Sequence, residues 1–196
     1  MKQAANLCTA LRVLLAPVLA WQLSLPREQA ALAPLAVYLV AAGTDLVDGA
    51  LARAAGADSR RGRVFDHGAD AFLLFPAFWV LALHGRLPLA LPLAAATAFT
   101  LYVIDGWRRG GALGAIELTP SRSGAIGGVL NYFVAGAAAA AVFIDARPVD
   151  QAIYAAAFAV AAVNAAAALE RLPRLFTPTR ASLAVERGAR APRSSP

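Results

Sequence analysis

Two aspartate pairs, Asp45 with Asp48 and Asp66 with Asp70, fall between positions 45 and 70 of a chain otherwise apolar enough to live in a bilayer. A carboxylate at the centre of a membrane helix costs roughly 2.5–3.5 kcal/mol on insertion scales, so four close together are kept only where something cationic and functional sits among them. Residues three or four apart share a helix face, so each pair projects as a unit. If the first pair ends one helix and the second begins the next, an antiparallel arrangement brings all four carboxylates to one depth. Left bare, they would repel one another and take up protons. Two divalent cations remove that repulsion and leave coordination positions open. Hard oxygen ligands without a Cys or His cluster favour Mg²⁺ or Mn²⁺, whose shells are typically completed by phosphate oxygens. Gly49 and Gly62 are expensive in helices unless something approaches the backbone closely, and a nucleotide diphosphate is such a thing. Arg53 is placed to bind it through charge-assisted hydrogen bonds. Close helix packing in a membrane is the plainer role for the two glycines.

The elements that must position these groups follow from composition. Hydrophobic residues make up 59% of the chain and charged residues 15%, where a soluble domain carries about 25% charge. The mean hydropathy is +0.58. Charge-free runs separated by Pro26, Gly56, Gly85, Pro88 and Pro148 are each long enough for most of a span of about 20 residues. The pattern predicts an all-α integral membrane protein with six transmembrane helices at about 5–25, 31–55, 62–85, 87–107, 123–145 and 149–170. Residues 1–170 form the expected membrane domain, and 171–196, rich in Arg, Pro and Ser, an expected disordered basic tail in the cytoplasm.

Orientation comes from the basic residues. With both termini cytoplasmic, all but Arg27, Arg86 and Arg147 of the 18 Lys and Arg residues lie inside. The joining segment Arg53 to Arg63 is then cytoplasmic, and the aspartates open to the cytosol at the inner membrane. The net charge of +6 reports this bias and attraction to anionic lipid headgroups, not a nucleic-acid partner. An N-terminal secretory signal is disfavoured because Arg12 interrupts the first apolar run and no small-residue cleavage site precedes Pro26. Cys8 is the only cysteine, which excludes an intrachain disulfide and a cysteine-cluster metal site. His67 and His84 read as packing or hydrogen-bonding residues, and Trp21, Trp79, Trp107 and Tyr102 as interfacial or lipid-facing aromatics. Arg108, Arg109 and Arg122 are cytosolic charges that either set the topology or grip an acceptor phosphate, with Asp105 placed to orient one of them.

The segment Asp45 to Asp70 resembles the signature of the CDP-alcohol phosphotransferase (CDP-alcohol phosphatidyltransferase) family, class I, D-x2-D-G-x2-A-R-x8-G-x3-D-x3-D, at every fixed position. Asn6, Thr9 and Arg12 are similar to the N-x2-T-x2-R stretch that opens many members. The resemblance implies transfer of a substituted phosphoryl group from CDP-diacylglycerol to a small alcohol, with release of CMP. It implies that Asp45 and Asp66 bridge both metals, that Asp48 holds one, and that Asp70 holds the other and acts as general base. Gly49, Ala52, Arg53, Ser59 and Gly62, with Asn6, Thr9 and Arg12 nearby, are the implied CDP contacts. Glycerol 3-phosphate is the first acceptor expected, as in phosphatidylglycerophosphate synthases. Inositol phosphate or a neutral alcohol comes next, and a homodimer is the assembly considered.

The chain departs from that pattern at His67 and Ala71, where many glycerophosphate-using members have Pro and Lys. Gly124 to Asn131 keeps a Gly and an amide of the G-K-x2-T-x2-Q stretch but lacks its Lys and Thr. Two other classes compete with the enzyme. A divalent-cation transporter also uses intramembrane carboxylates, but Arg53 would repel its cargo. An inactive membrane scaffold would not need all four. The charge bias makes one direct prediction: a Ser59→Cys, Cys8→Ser protein reacts with impermeant thiol reagents from the cytosolic side alone. Labelling from outside would overturn the orientation.

Overall fold

The computed structural model describes residues 2–54, 60–110, 116, 118, 119 and 121–177, with side chains at all of these except 2–7, 45, 47–54, 60, 61 and 63. Its elements are α1 (Lys2–Ser24), α2 (Arg27–Ala30), α3 (Ala33–Ala54), α4 (Arg60–Leu83), α5 (Ala90–Gly110), α6 (Arg122–Ile144), α7 (Arg147–Leu169) and α8 (Leu172–Phe176). No strand occurs among the described residues. The six long helices fall on the six expected runs, with ends displaced by a few residues.

The turns explain where helices stop. Gly85 takes a left-handed φ of 69°, which lets the Arg86 N–H reach back to the Leu81 carbonyl at 2.8 Å and closes α4. The Ser121 hydroxyl caps α6 by accepting from the Gly124 N–H at 3.1 Å. Pro148 then sits in the first turn of α7, where a missing N–H costs nothing. Pro17 and Pro76 lie inside α1 and α4. Proline inside a helix is tolerated in membrane bundles because neighbouring groups re-satisfy the freed carbonyls.

Packing arranges the long helices in two rows. In one, α1 packs between α3 and α4; in the other, α7 packs between α5 and α6, and the rows meet where α3 touches α6 and α4 touches α5. The core between them is built from Leu19 and Leu23 of α1, Leu73, Phe78 and Leu81 of α4, and alanines of α6 and α7. Small residues let backbones approach closely, which is how helices gain contact where lipid removes the usual hydrophobic drive. Buried Asn131 and Asn164 exchange amide hydrogen bonds of 3.2 and 2.9 Å and pin α6 to α7.

Among the described residues, four helical segments are long and apolar enough to cross a membrane: Val64–Leu83, Ala90–Gly110, Arg122–Ile144 and Arg147–Phe176. Among the described residues, α1 and α3 contribute the shorter apolar stretches Cys8–Ser24 and Ala33–Thr44. Large apolar side chains cover the outside, with Leu14, Phe65 and Phe133 each about 70% exposed. Such a surface suits a lipid environment and would drive association in water.

Charged side chains collect at the two ends of the bundle. At one end Arg27 donates to Asp145 at 2.8 Å, to Asp150 at 2.7 Å and to the Ala141 carbonyl at 3.0 Å. The hydrogen bond it donates to Asp150 holds Arg27 more firmly in its charged form than a free guanidinium. Arg86 donates to the Leu23 carbonyl at 3.0 Å. These two arginines, expected outside, lie at the end of α4 remote from Asp66 and Asp70.

The α3–α6 crossing yields a stability prediction. A Cβ on Gly136 would lie 2.7 Å from the Tyr38 ring, which is buried and tied to α6. Gly136→Ala should destabilise the protein by about 1–3 kcal/mol, read as a lower thermal midpoint in detergent. An unchanged midpoint would show that this crossing has slack.

Candidate active site

The site is built where α1 meets α4. Thr9 and Arg12 stand three apart on α1, and Asp66 and Asp70 four apart on α4, so each helix presents both polar groups on one face. The Thr9 hydroxyl donates to Asp66 Oδ1 at 3.2 Å. Arg12 Nη1 donates to Asp70 Oδ1, and Arg12 Nη2 lies 3.6 Å from Asp66 Oδ1. The Arg12 side chain is fully buried, while those of Asp66 and Asp70 remain 44% and 22% exposed. The cation is sealed in and the carboxylates face outward from it. A guanidinium taken out of water needs carboxylate partners to offset its desolvation, and both are on the neighbouring helix.

Asp70 is held from a third helix as well. The Tyr132 hydroxyl of α6 donates to Asp70 Oδ1 at 2.5 Å, and the Tyr38 hydroxyl of α3 donates to the Tyr132 carbonyl at 2.6 Å.

Beside Asp70 a cavity of about 390 Å³ opens between α4, α5, α6 and α7. Its walls are mainly apolar, with Ala71, Leu74, Phe75 and Phe99, and its polar groups include Asp70, Tyr132 and Arg171. Arg171 is buried. Its Nη1 lies 3.3 Å from Asp105 Oδ2, its Nη2 donates to the Thr119 carbonyl at 3.3 Å, and its guanidinium sits 4.6 Å above the Tyr102 ring. Asp105 also accepts from Arg109 Nε at 3.1 Å and Nη2 at 2.7 Å. One buried carboxylate thus holds two guanidiniums, and only Arg171 of these two lines the cavity.

Other residues expected at the site lie further along the same helices or beyond them. Gly62 falls in the first turn of α4. Asp45, Asp48, Gly49, Ala52 and Arg53 lie on α3 and Asn6 on α1, with side chains outside the described residues, and Ser59 lies outside them altogether. Arg108 donates to the carbonyls of Arg174 and Leu175 and so anchors α8. Arg109 is committed to Asp105, and Arg122 is exposed at the start of α6. None of these three lines the cavity. His67 packs edge-on against Tyr102 at 5.7 Å, and His84 Nδ1 lies 2.8 Å from the Val80 carbonyl.

Three contributors carry little sequence signal. Tyr132 follows Asn131 in a stretch notable in sequence only for its departures from a pattern. Tyr102, expected at the lipid interface, instead supports Arg171. Arg171 falls in the expected disordered tail, yet it is buried and followed by the short helix α8, so order continues past 170.

Among the described residues no three His, Cys, Asp or Glu side chains gather as a metal centre. Asp66 and Asp70 nonetheless fit a hard divalent cation in kind: both are oxygen donors on one face and partly exposed, and the single guanidinium of Arg12 leaves the pair a net negative charge.

The CDP-alcohol phosphatidyltransferase family model matches residues 2–169, and the chain belongs to that family. With its apolar helices, this makes it a membrane protein. The family as a whole depends on divalent cations. The chain is 39% identical over 90 residues to a CDP-diacylglycerol–glycerol-3-phosphate 3-phosphatidyltransferase of Pseudomonas fluorescens. That match covers 45% of this chain and 46% of the relative, so the chain spans about half the length of the curated relative it matches. No solved structure matches the chain.

The α1–α4 ion cluster predicts that Arg12→Gln loses about 1.5–3 kcal/mol, the usual worth of a hydrogen bond to a charged group. Chemical or thermal unfolding in detergent measures it. Wild-type stability in this variant would show that Asp70 is held without Arg12.

Proposed function

We propose that the protein transfers a phosphatidyl group from CDP-diacylglycerol to a small polar alcohol, releasing CMP, with glycerol 3-phosphate as acceptor. The observation that carries this reading is Asp70, the last aspartate of the family signature, gripped by Arg12 and Tyr132 at the mouth of a cavity large enough for an alcohol. In the proposal Asp45, Asp48, Asp66 and Asp70 hold two divalent cations, Mg²⁺ or Mn²⁺. Bound there, the cations supply positive charge to the diphosphate and the departing CMP. Asn6, Thr9, Arg12, Gly49, Ala52, Arg53, Ser59 and Gly62 form the CDP side of the site. Asp70 accepts the proton of the acceptor hydroxyl. The site faces the cytoplasm at the inner membrane, in a chain of six spans with both termini inside and a basic tail beyond residue 170. A homodimer is the proposed assembly.

Arg171 supports a phosphorylated acceptor, because it places a buried guanidinium in the same cavity as Asp70. Arg108, Arg109 and Arg122, the arginines expected there from sequence, would serve at most from outside the cavity wall. The buried Arg12 also supports an enzyme over a cation transporter, since a fixed positive charge against both carboxylates opposes a cation path.

The reading is tested by supplying purified protein with CDP-diacylglycerol and Mg²⁺ and following CMP release and product mass over a panel of acceptors. Glycerol 3-phosphate should give the fastest release, and Asp70→Asn should abolish it. Arg171→Gln should raise the KM for glycerol 3-phosphate about tenfold or more while leaving that for CDP-diacylglycerol unchanged, because only one substrate loses ground-state binding. A preference for an unphosphorylated alcohol would replace the proposed acceptor. No CMP release with any acceptor would remove the transferase reading.

A further inference from the structure

Asp70 accepts both of its donors on one oxygen. Arg12 Nη1 and the Tyr132 hydroxyl converge on Oδ1, and among the described residues Oδ2 accepts from neither side chain nor backbone. The two donors come from different helices, α1 and α6, and approach a carboxylate carried by a third, α4. Two donors from different directions on one oxygen restrict rotation of the carboxylate plane and so set the direction in which the other oxygen points.

Tyr132 is itself braced. Its carbonyl accepts the Tyr38 hydroxyl at 2.6 Å, and the Tyr38 ring lies against Gly136 one turn further along α6. Tyr38 is buried in the core, so its hydroxyl reaches α6 from a side chain with little room to move. The Tyr132 ring lines the cavity that Asp70 also lines. It therefore shares with Asp70 the wall of the cavity that an acceptor alcohol would enter. The α4–α6 contact is slight compared with those α4 makes to α1 and α6 makes to α7. The hydroxyl thus bridges two helices at a point where packing alone does not fix their spacing.

We propose that Tyr132 is a positioning residue for phosphatidyl transfer: its hydroxyl, with Arg12, fixes Oδ1 of Asp70 and so assigns proton abstraction to Oδ2. This rests on the reading of Asp70 as the general base. The acceptor O–H bond breaks as its proton passes to Oδ2, and the freed oxygen pair forms the new bond to phosphorus. The bond from phosphorus to the CMP oxygen breaks, and CMP leaves with that electron pair. Without the tyrosine hydroxyl, only Arg12 holds the carboxylate, its plane turns away from the acceptor, and the base spends part of its time misdirected.

The test is Tyr132→Phe, which keeps the ring and removes only the hydroxyl. It is assayed beside the wild type with CDP-diacylglycerol, Mg²⁺ and glycerol 3-phosphate, with thermal midpoint and CDP-diacylglycerol binding measured on the same preparations. The expected result is a fall in kcat of about ten- to a hundredfold, the range for a misplaced catalytic group. KM for both substrates should stay within about twofold and the midpoint within a few degrees. Tyr38→Phe, which frees the Tyr132 backbone one step away, should show a smaller fall in kcat of the same kind. A kcat within twofold of wild type for Tyr132→Phe overturns the proposal. So does a kcat loss that comes with a lower midpoint and raised KM for both substrates, because that is a helix cross-link and not a director of the base. An inactive wild type would instead strike at the transferase reading, on which the positioning role depends.

Discussion

Burial of the Arg12 guanidinium dictates how α1 and α4 can pack, and the site follows from that packing. A charge sealed inside an apolar bundle is tolerated only with partners of opposite sign at hydrogen-bond distance. Those partners, Asp66 and Asp70, lie on α4, so the two helices must meet in one register and in one rotation about their axes. The same requirement turns the two carboxylates toward a shared face. Their partial exposure then leaves oxygen for other ligands, which is what a metal-dependent transfer site needs. On the proposed reading of the site, stability and chemistry are served by the same three side chains.

Across the cavity the device is inverted, with a buried carboxylate holding guanidiniums. Asp105 binds Arg109 within α5 and Arg171 from the end of α7, so the far wall of the cavity carries a guanidinium that shares its one carboxylate with another. The apolar surface between Asp70 and Arg171 is contributed by α4 and α5, which meet only loosely there, while α5 and α6 are each secured to α7. The bundle thus closes tightly around α1 and α7 and leaves its opening where the two rows face each other. Small residues make the tight contacts, and the Asn131–Asn164 pair fixes one of them without placing an unsatisfied amide in the core.

Much of this is legible in the sequence because it rests on local rules. Helix positions follow from charge-free runs broken by Pro and Gly, and the pairing of Asp66 with Asp70 and of Thr9 with Arg12 follows from helical spacing. The family signature points to the same aspartates. Contacts between helices distant in sequence are not legible. Nothing in the neighbourhood of Tyr132 says that its hydroxyl reaches a residue 62 positions away. Arg171 closes the last apolar run like any flanking arginine, and only the fold reveals that Asp105 waits beside it. Charge alone makes Arg108, Arg109 and Arg122 equal candidates, and the structure leaves all three outside the cavity that Arg171 lines.

If Asp70 serves as a base, the acceptor oxygen attacks phosphorus directly, and the stereochemistry of transfer reports whether it does. The measurement uses CDP-diacylglycerol made chiral at the transferred phosphorus with sulfur. Direct attack by the acceptor inverts the configuration, and inversion is the predicted result. Retention would require two successive displacements through a phosphatidyl-enzyme, with a carboxylate as nucleophile, and would contradict the role of Asp70 as a base.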